Sequence, residues 1–198
     1  VKEEQVKARL GLPPRSRVVG TIGRMTPQKG HALLLEAIAD LRGRIDVHLL
    51  LVGDGPLRPR LERRAQELGI GDQVCFVGFR RDIYPLLRAM EVFVFPTLWE
   101  GMPTAILEAM AAGRAVVASD ILPVREIVST PDLGILVRPN DQRSLSEGIG
   151  QLLEDRSLSE EMGKRSREYA LSCFPIQRAV AQYQDLFLQI ERARQDAR

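Results

Sequence analysis

The stretch Val47-His48-Leu49-Leu50-Leu51-Val52-Gly53-Asp54-Gly55-Pro56 decides the fold of this chain. Its first six residues are aliphatic but for His48, a run that suits a strand buried on both faces. Gly53 to Pro56 then turns the chain, and Pro56 is placed to open a helix. Upstream, Arg17 to Ile22 reads as a strand, followed by a loop and a helix from about His31 to Arg42. Downstream, the helix after Pro56 runs to about Leu68 and stops at Gly69. Gln73 to Val77 is a short strand, and Asp82 stands where a cap would open a helix reaching Met90. Val92 to Phe95 is a strand, Thr104 to Ala112 a helix ending at Gly113, Ala115 to Ala118 a strand, and Gly134 to Val137 the last strand.

Strands that alternate with helices at this spacing mean crossover units and a parallel sheet. The expected class is α/β: a doubly wound, mainly parallel six-stranded Rossmann-like sheet, helices on both faces, and a helical C-terminal tail. Such sheets bind ligands outside the carboxyl ends of their strands. After Asn140 the pattern is purely helical, over Asp141 to Leu153, Ser157 to Leu171 and Ile176 to Ala193, with Pro175 separating the last two. The expected division is a linker or leading helix over 1–14, a ligand-binding domain over 15–174, and a C-terminal helix over 175–198.

Composition narrows the function. The 28 basic and 26 acidic residues nearly balance, which argues against a nucleic-acid or membrane-surface field. No apolar run approaches the ~20 residues of a membrane-spanning helix, and no signal-peptide pattern opens the chain. Val1 followed by Lys2-Glu3-Glu4 reads as a cut from a longer protein. Cys75 and Cys173 have neither a Cys-x-x-Cys spacing nor a histidine cluster, so no disulfide framework or metal site is expected. A reducing cytoplasm is the default, with attachment to a membrane surface left open for the full-length protein.

Two segments carry chemistry. Gly23-Arg24-Met25-Thr26-Pro27-Gln28-Lys29-Gly30 joins the first strand to the first helix. It is neither the Gly-x-Gly-x-x-Gly dinucleotide fingerprint nor a P-loop. It places a guanidinium and an ammonium at a strand's carboxyl end, close to a helix N-terminus. Arg forks two phosphate oxygens, Lys acts as a point charge, and the helix adds its positive end, so a diphosphate suits the place. A plain basic surface loop is the alternative. The second segment is Phe95-Pro96-Thr97-Leu98-Trp99-Glu100-Gly101-Met102-Pro103-Thr104, running into Ala105-Ile106-Leu107-Glu108-Ala109-Met110. Glu100 lies in a loop and Glu108 on the helix beyond, so the two reach different parts of one extended ligand. Gly101 allows close backbone approach. Taken singly, Glu100 is a helix-dipole carboxylate and Glu108 a solvated helix face.

In this order and spacing the segments resemble family 4 of the retaining glycosyltransferases, whose members pair two facing Rossmann-like domains in the GT-B fold. The likeness takes in Gly23-Arg24, Gln28-Lys29-Gly30, Gly53-Asp54-Gly55-Pro56, Val77-Gly78, Glu100-Gly101, Glu108-Ala109-Met110-Ala111, Glu126-Ile127-Val128 and Gly134-Ile135-Leu136-Val137. The two glutamates match that family's pair separated by seven residues. The resemblance implies a C-terminal, donor-binding half that transfers a sugar from a UDP-, GDP- or ADP-sugar with retention of configuration. No separate cofactor or metal is implied. It gives Arg24 and Lys29 to the donor diphosphate, Glu108 to the ribose and Glu100 to the sugar. Gly23, Gly101 and the backbone amides of Met102 and Thr104 would face sugar and phosphate, and Gly78 and the following loop would lie beside the base. The partner implied is an N-terminal acceptor domain that the chain lacks, without which transfer would be negligible. Pro103 and Ile121-Leu122 depart from the family pattern, where many members have glycine. Three other readings stand beside it: a nucleotide-sugar epimerase of the same architecture, a nicotinamide-binding domain, and a non-catalytic nucleotide-binding module.

The remaining candidates take plain roles. His31 is expected to cap a helix or sit at the surface, and His48 to be a core or edge residue. Cys75 is expected to be a small buried hydrophobe. Trp99 either shapes the donor loop or simply packs.

Overall fold

The computed structural model describes residues 3–196. Six strands form one sheet: β1 (Arg17–Ile22), β2 (Val47–Val52), β3 (Val74–Gly78), β4 (Val92–Phe95), β5 (Ala115–Ser119) and β6 (Ile135–Val137). Their order is β3-β2-β1-β4-β5-β6, and every neighbouring pair is parallel. This is the doubly wound order, with its topological switch between β1 and β4. The helices are α1 (Glu3–Arg9), α2 (His31–Leu41), α3 (Arg58–Glu67), α4 (Tyr84–Ala89), α5 (Thr104–Ala111), the short α6 (Leu122–Arg125), α7 (Gln142–Glu154), α8 (Arg156–Cys173) and α9 (Ile176–Asp196). The α/β class, the parallel sheet and the helical tail agree with the sequence reading.

The pleat sends alternate residues of each strand to opposite faces. Leu50, Val52, Phe93, Phe95, Val116 and Ala118 join the side chains of α4 and α5 in one core. Leu49, Leu51, Val92, Val94 and Val117 join α2, α3 and α7 in the other. Each fully buried leucine or phenylalanine contributes about 1.5–3 kcal/mol, and β2 carries such residues on both faces. That is why its sequence reads as an unbroken apolar run. The outer strand β3 is less covered: of its five residues only Val77 is buried.

The helix starts differ in how they are capped. Asp141 and Asp155 cap α7 and α8, accepting from the Ser144 and Leu158 amides at 2.8 and 2.9 Å. Asp82 caps nothing: α4 starts two residues later, after Ile83, with no side-chain cap. Pro85 in its first turn has a φ suited to the helix and no N–H to satisfy, so the cap is dispensable. The tail helix α9 follows Pro175. Ile176, Val180, Tyr183, Leu186, Phe187 and Ile190 on it are all exposed, an apolar stripe without cover among the described residues.

Candidate functional site

The site is built at the switch in strand order, where the loops after β1 and β4 leave the carboxyl ends of their strands. After β1, residues Pro27–Lys29 make one 3-10 turn. Gly30 follows at φ 66, and a Cβ there would stand 2.0 Å from the Pro96 carbonyl oxygen. Only glycine both adopts this backbone and lets the turn lie against the loop after β4. Hydrogen bonds then sew the two loops together. The Leu98 amide donates to the Gln28 carbonyl at 2.8 Å. The Gln28 side-chain amide donates to the Trp99 carbonyl at 2.6 Å.

This seam brings Lys29 and Glu100 together across 71 residues of sequence. Lys29 Nζ lies 2.5 Å from Glu100 Oε1. The Thr97 hydroxyl is 2.8 Å from that same oxygen, and Lys29 also stands 5.0 Å from the centre of the Phe95 ring. The pair is largely sheltered, its side chains 20% and 9% exposed. Low dielectric strengthens such a pair, and the ring face adds a cation–π contribution.

Arg24 differs from Lys29. It is exposed and has no ion pair among the described residues. It lines a cleft of about 400 Å³ with Ile22, Gly23, Gly53, Asp54, Phe79 and Arg80. The cleft lies over the ends of β1, β2 and β3. Gly53, at φ 129, sits so close to Gly23 that a Cβ would come within 2.1 Å of the Gly23 carbonyl oxygen. Gly23 and Gly53 line the cleft, and the Gly53 amide donates to the Gly78 carbonyl at 2.9 Å, which ties the end of β3 to it. Two other hollows lie between helices: one between Arg44 and α7, the other between α2 and α3, reaching Pro27.

On the other side of the seam, Gly101 has open space where a side chain would stand, and Met102 is exposed. The Thr104 amide already donates to the Met102 carbonyl at 2.9 Å. In this arrangement it is therefore engaged by the turn that opens α5. Glu108 sits on α5 with an exposed side chain, yet nearby protein displaces enough water to push its carboxyl above the usual range. Among the described residues Glu108 has no cationic partner.

His31 corrects the sequence reading. It is neither a surface residue nor a side-chain cap: it is buried at the start of α2, and neither ring nitrogen has a hydrogen-bond partner. Burial first, and the Lys29 charge second, lower its pKa to about 4. The Gly30 contact that draws the turn onto the β4 loop also carries the next residue inside. His48 is partly buried. Cys75 is half-buried, its thiol pKa raised by that burial. Trp99 is largely exposed; what fixes its loop is the main-chain carbonyl, not the indole.

Sequence reasoning gave no role to Thr97 or Gln28, and took in Phe79 and Arg80 only as part of the loop after Gly78, beside the base. Thr97 and Gln28 lay inside the quoted segments, but nothing along the chain says that those segments touch. Among the described residues no group of three or more His, Cys, Asp or Glu side chains is placed to hold a metal ion. No described helix is long and apolar enough to cross a membrane.

Comparison with known proteins places the chain. A family model described as glycosyl transferases group 1 matches residues 2–169. The chain is 33% identical over 168 residues to the lipopolysaccharide core biosynthesis glycosyltransferase LpsE of Rhizobium meliloti (strain 1021), covering 85% of this chain and 48% of that protein. Its fold superposes on the sucrose-phosphate synthase of Thermosynechococcus elongatus with a TM-score of 0.88 and 31% identity, over 96% of this chain and 49% of that one. It superposes on Anabaena HepE, solved in complex with UDP-glucose, with a TM-score of 0.89 and 26% identity, over 94% and 52% of the two chains. The chain thus spans about half the length of the curated relatives it matches. On the strength of that match, the parallel sheet and the paired loops at its switch point, this chain belongs to the glycosyl transferases group 1 family.

Proposed function

We propose that this chain is the donor-binding half of a retaining glycosyltransferase, taking a sugar from a nucleoside diphosphate sugar and passing it to an acceptor held by a separate N-terminal domain. The observation that carries this is the seam between the two loops. It fixes a cation and a carboxylate side by side at the switch point, next to a cleft lined by Arg24 and Arg80. The complex of HepE with UDP-glucose supports a nucleotide-sugar ligand for this fold.

In this mechanism the base and ribose occupy the cleft beside Gly23, Gly53 and Gly78, and Glu108 accepts from the ribose hydroxyls. Arg24 and Lys29 hold the diphosphate. As the bond between the anomeric carbon and the diphosphate oxygen breaks, negative charge grows on the leaving group. Cationic donors fixed in advance stabilise that charge without reorganising. Glu100 accepts from a sugar hydroxyl, and Gly101 and Met102 offer backbone to the sugar. The acceptor's hydroxyl oxygen then bonds to the anomeric carbon on the face the diphosphate leaves, which keeps the configuration, and its proton passes to the departing diphosphate oxygen. The side chains supply the charge that the departing diphosphate requires, so no further cofactor enters the scheme. The chain alone, without acceptor binding or closure of a cleft, transfers little.

Isothermal calorimetry with UDP, GDP and ADP and their sugars tests the assignment on the chain itself. Arg24→Ala and Lys29→Ala should each weaken nucleoside diphosphate binding by about 1–3 kcal/mol, the range for hydrogen bonds to charged groups. Unchanged affinity in both variants would sink it.

A further inference from the structure

We propose that Thr97 is a positioning residue: its buried hydroxyl, acting with the Lys29 ammonium, pins one oxygen of Glu100 and leaves the other to a hydroxyl of the donor sugar. Resting on the donor-site function above, this assigns the carboxylate's orientation to a side chain that touches no ligand.

The geometry is a matter of counting protons. Thr97 is fully buried. Its hydroxyl lies 2.8 Å from Glu100 Oε1 and 3.2 Å from the carbonyl oxygens of both Gln28 and Trp99. A hydroxyl has one proton to donate. Both carbonyls already have donors: the Leu98 amide at 2.8 Å for Gln28, and the Gln28 side-chain amide at 2.6 Å for Trp99. The carboxylate is the nearest acceptor and the charged one, so the proton goes there. Lys29 Nζ converges on the same Oε1 at 2.5 Å. Glu100 Oε2 accepts no hydrogen bond among the described residues.

One oxygen is therefore held twice and the other not at all. Pinned at Oε1, the side chain has given up its rotamer freedom before any ligand arrives, which lowers the entropy cost of binding. An ionised carboxylate oxygen only accepts, so its complement is an O–H group. A sugar supplies one and a diphosphate does not. Thr97 should thus govern how well the site tells a nucleotide sugar from the bare nucleoside diphosphate.

Thr97→Val keeps the volume and removes the hydroxyl, while Thr97→Ser restores it. Calorimetry on the whole chain would compare UDP with UDP-glucose, GDP with GDP-mannose and ADP with ADP-glucose. The valine variant should lose about tenfold in affinity for the nucleotide sugar, hold the matching diphosphate nearly unchanged, and regain the original ratio as serine. Equal losses for both ligands, or no loss, would overturn the proposal. A crystal structure of ligand-free Thr97→Val gives a second readout. Glu100 displaced from its present position is expected, and Glu100 unmoved would also overturn it. If no nucleotide binds the unaltered chain, the donor-site function fails, and the crystal structure still decides the role of Thr97. Should the valine variant not fold, Thr97→Ala enters both measurements with the same outcomes.

Discussion

A three-residue turn and a 21-residue helix stand at opposite ends of a scale in this molecule. The turn Pro27–Lys29 buries none of its residues and is flanked by residues poor at forming helix, yet main chain, Gln28, Lys29 and Thr97 all tie it to the β4 loop. Helix α9 is rich in good helix formers, yet nearly every described side chain on it is exposed. Its order comes from its own backbone, while that of the turn comes from the rest of the protein. Regular structure and fixed position are thus separate properties, and here the chemistry lies with fixed position.

The largest break in this contrast should come from Gly53→Ala. Its Cβ would enter a backbone region that side chains rarely adopt and meet the Gly23 carbonyl at 2.1 Å. Urea denaturation should show a loss of about 3 kcal/mol or more. A loss well under 1 kcal/mol would mean that the loops yield readily.

Acid should act next, through His31. Its folded pKa of about 4 lies below the unfolded value of 6.5, so the unfolded chain takes up a proton that the folded chain refuses. The neutral, buried form therefore supports stability above pH 6.5, and that support is lost as pH falls toward 4. The slope from this residue should approach about 1.4 kcal/mol per pH unit within that window. His31→Leu should flatten the stability curve measured from pH 7 to 4, and an unchanged slope would show that the ring is hydrated.

A smaller effect should separate the two carboxylates. Glu108→Gln should weaken binding of UDP, GDP or ADP by about 0.5–1.5 kcal/mol. Glu100→Gln should leave that affinity unchanged or slightly tighter, because it frees Lys29. Equal losses measured by calorimetry would refute this division. The smallest effect belongs to α9: Tyr183→Ser and Phe187→Ser should each shift the unfolding free energy of the chain by no more than about 0.5 kcal/mol. A larger destabilisation would show that the stripe packs on the body, and the contrast would collapse.

Much of the fold was legible because burial on both faces leaves a plain mark. β2 and β4 begin and end where their apolar runs do, at Val47 and Val52 and at Val92 and Phe95. The helix over Asp141 to Leu153 was read to within a residue of α7, while the Asp155 cap of α8, which acts on an amide only three residues ahead, went unread. Asp82 misled, since nothing in its neighbourhood says that Pro85 has made a cap unnecessary. α6 went unread because four residues are too few to show a period. His31 was placed outside because the contact that draws it in, Gly30 against Pro96, joins residues far apart in the chain. At the site, the sequence marked Arg24, Lys29, Glu100 and Glu108 as chemistry-bearing. That Lys29 and Glu100 form one pair, and that Thr97 binds the same carboxylate oxygen, depends on which strands are neighbours. Only the sheet order supplies that.

The pairing of Lys29 with Glu100 also decides how the site looks from a distance. Beyond a few ångströms the two charges cancel, so Lys29 adds little to the field that an approaching anion meets. That field comes from Arg24 and Arg80 on the cleft wall, offset in part by Asp54, itself 3.6 Å from Arg58. Capture of a phosphate-bearing ligand should therefore vary with ionic strength as for a weakly charged mouth, over a screening length of about 8 Å at physiological salt. The ammonium acts only at short range, once the ligand is inside.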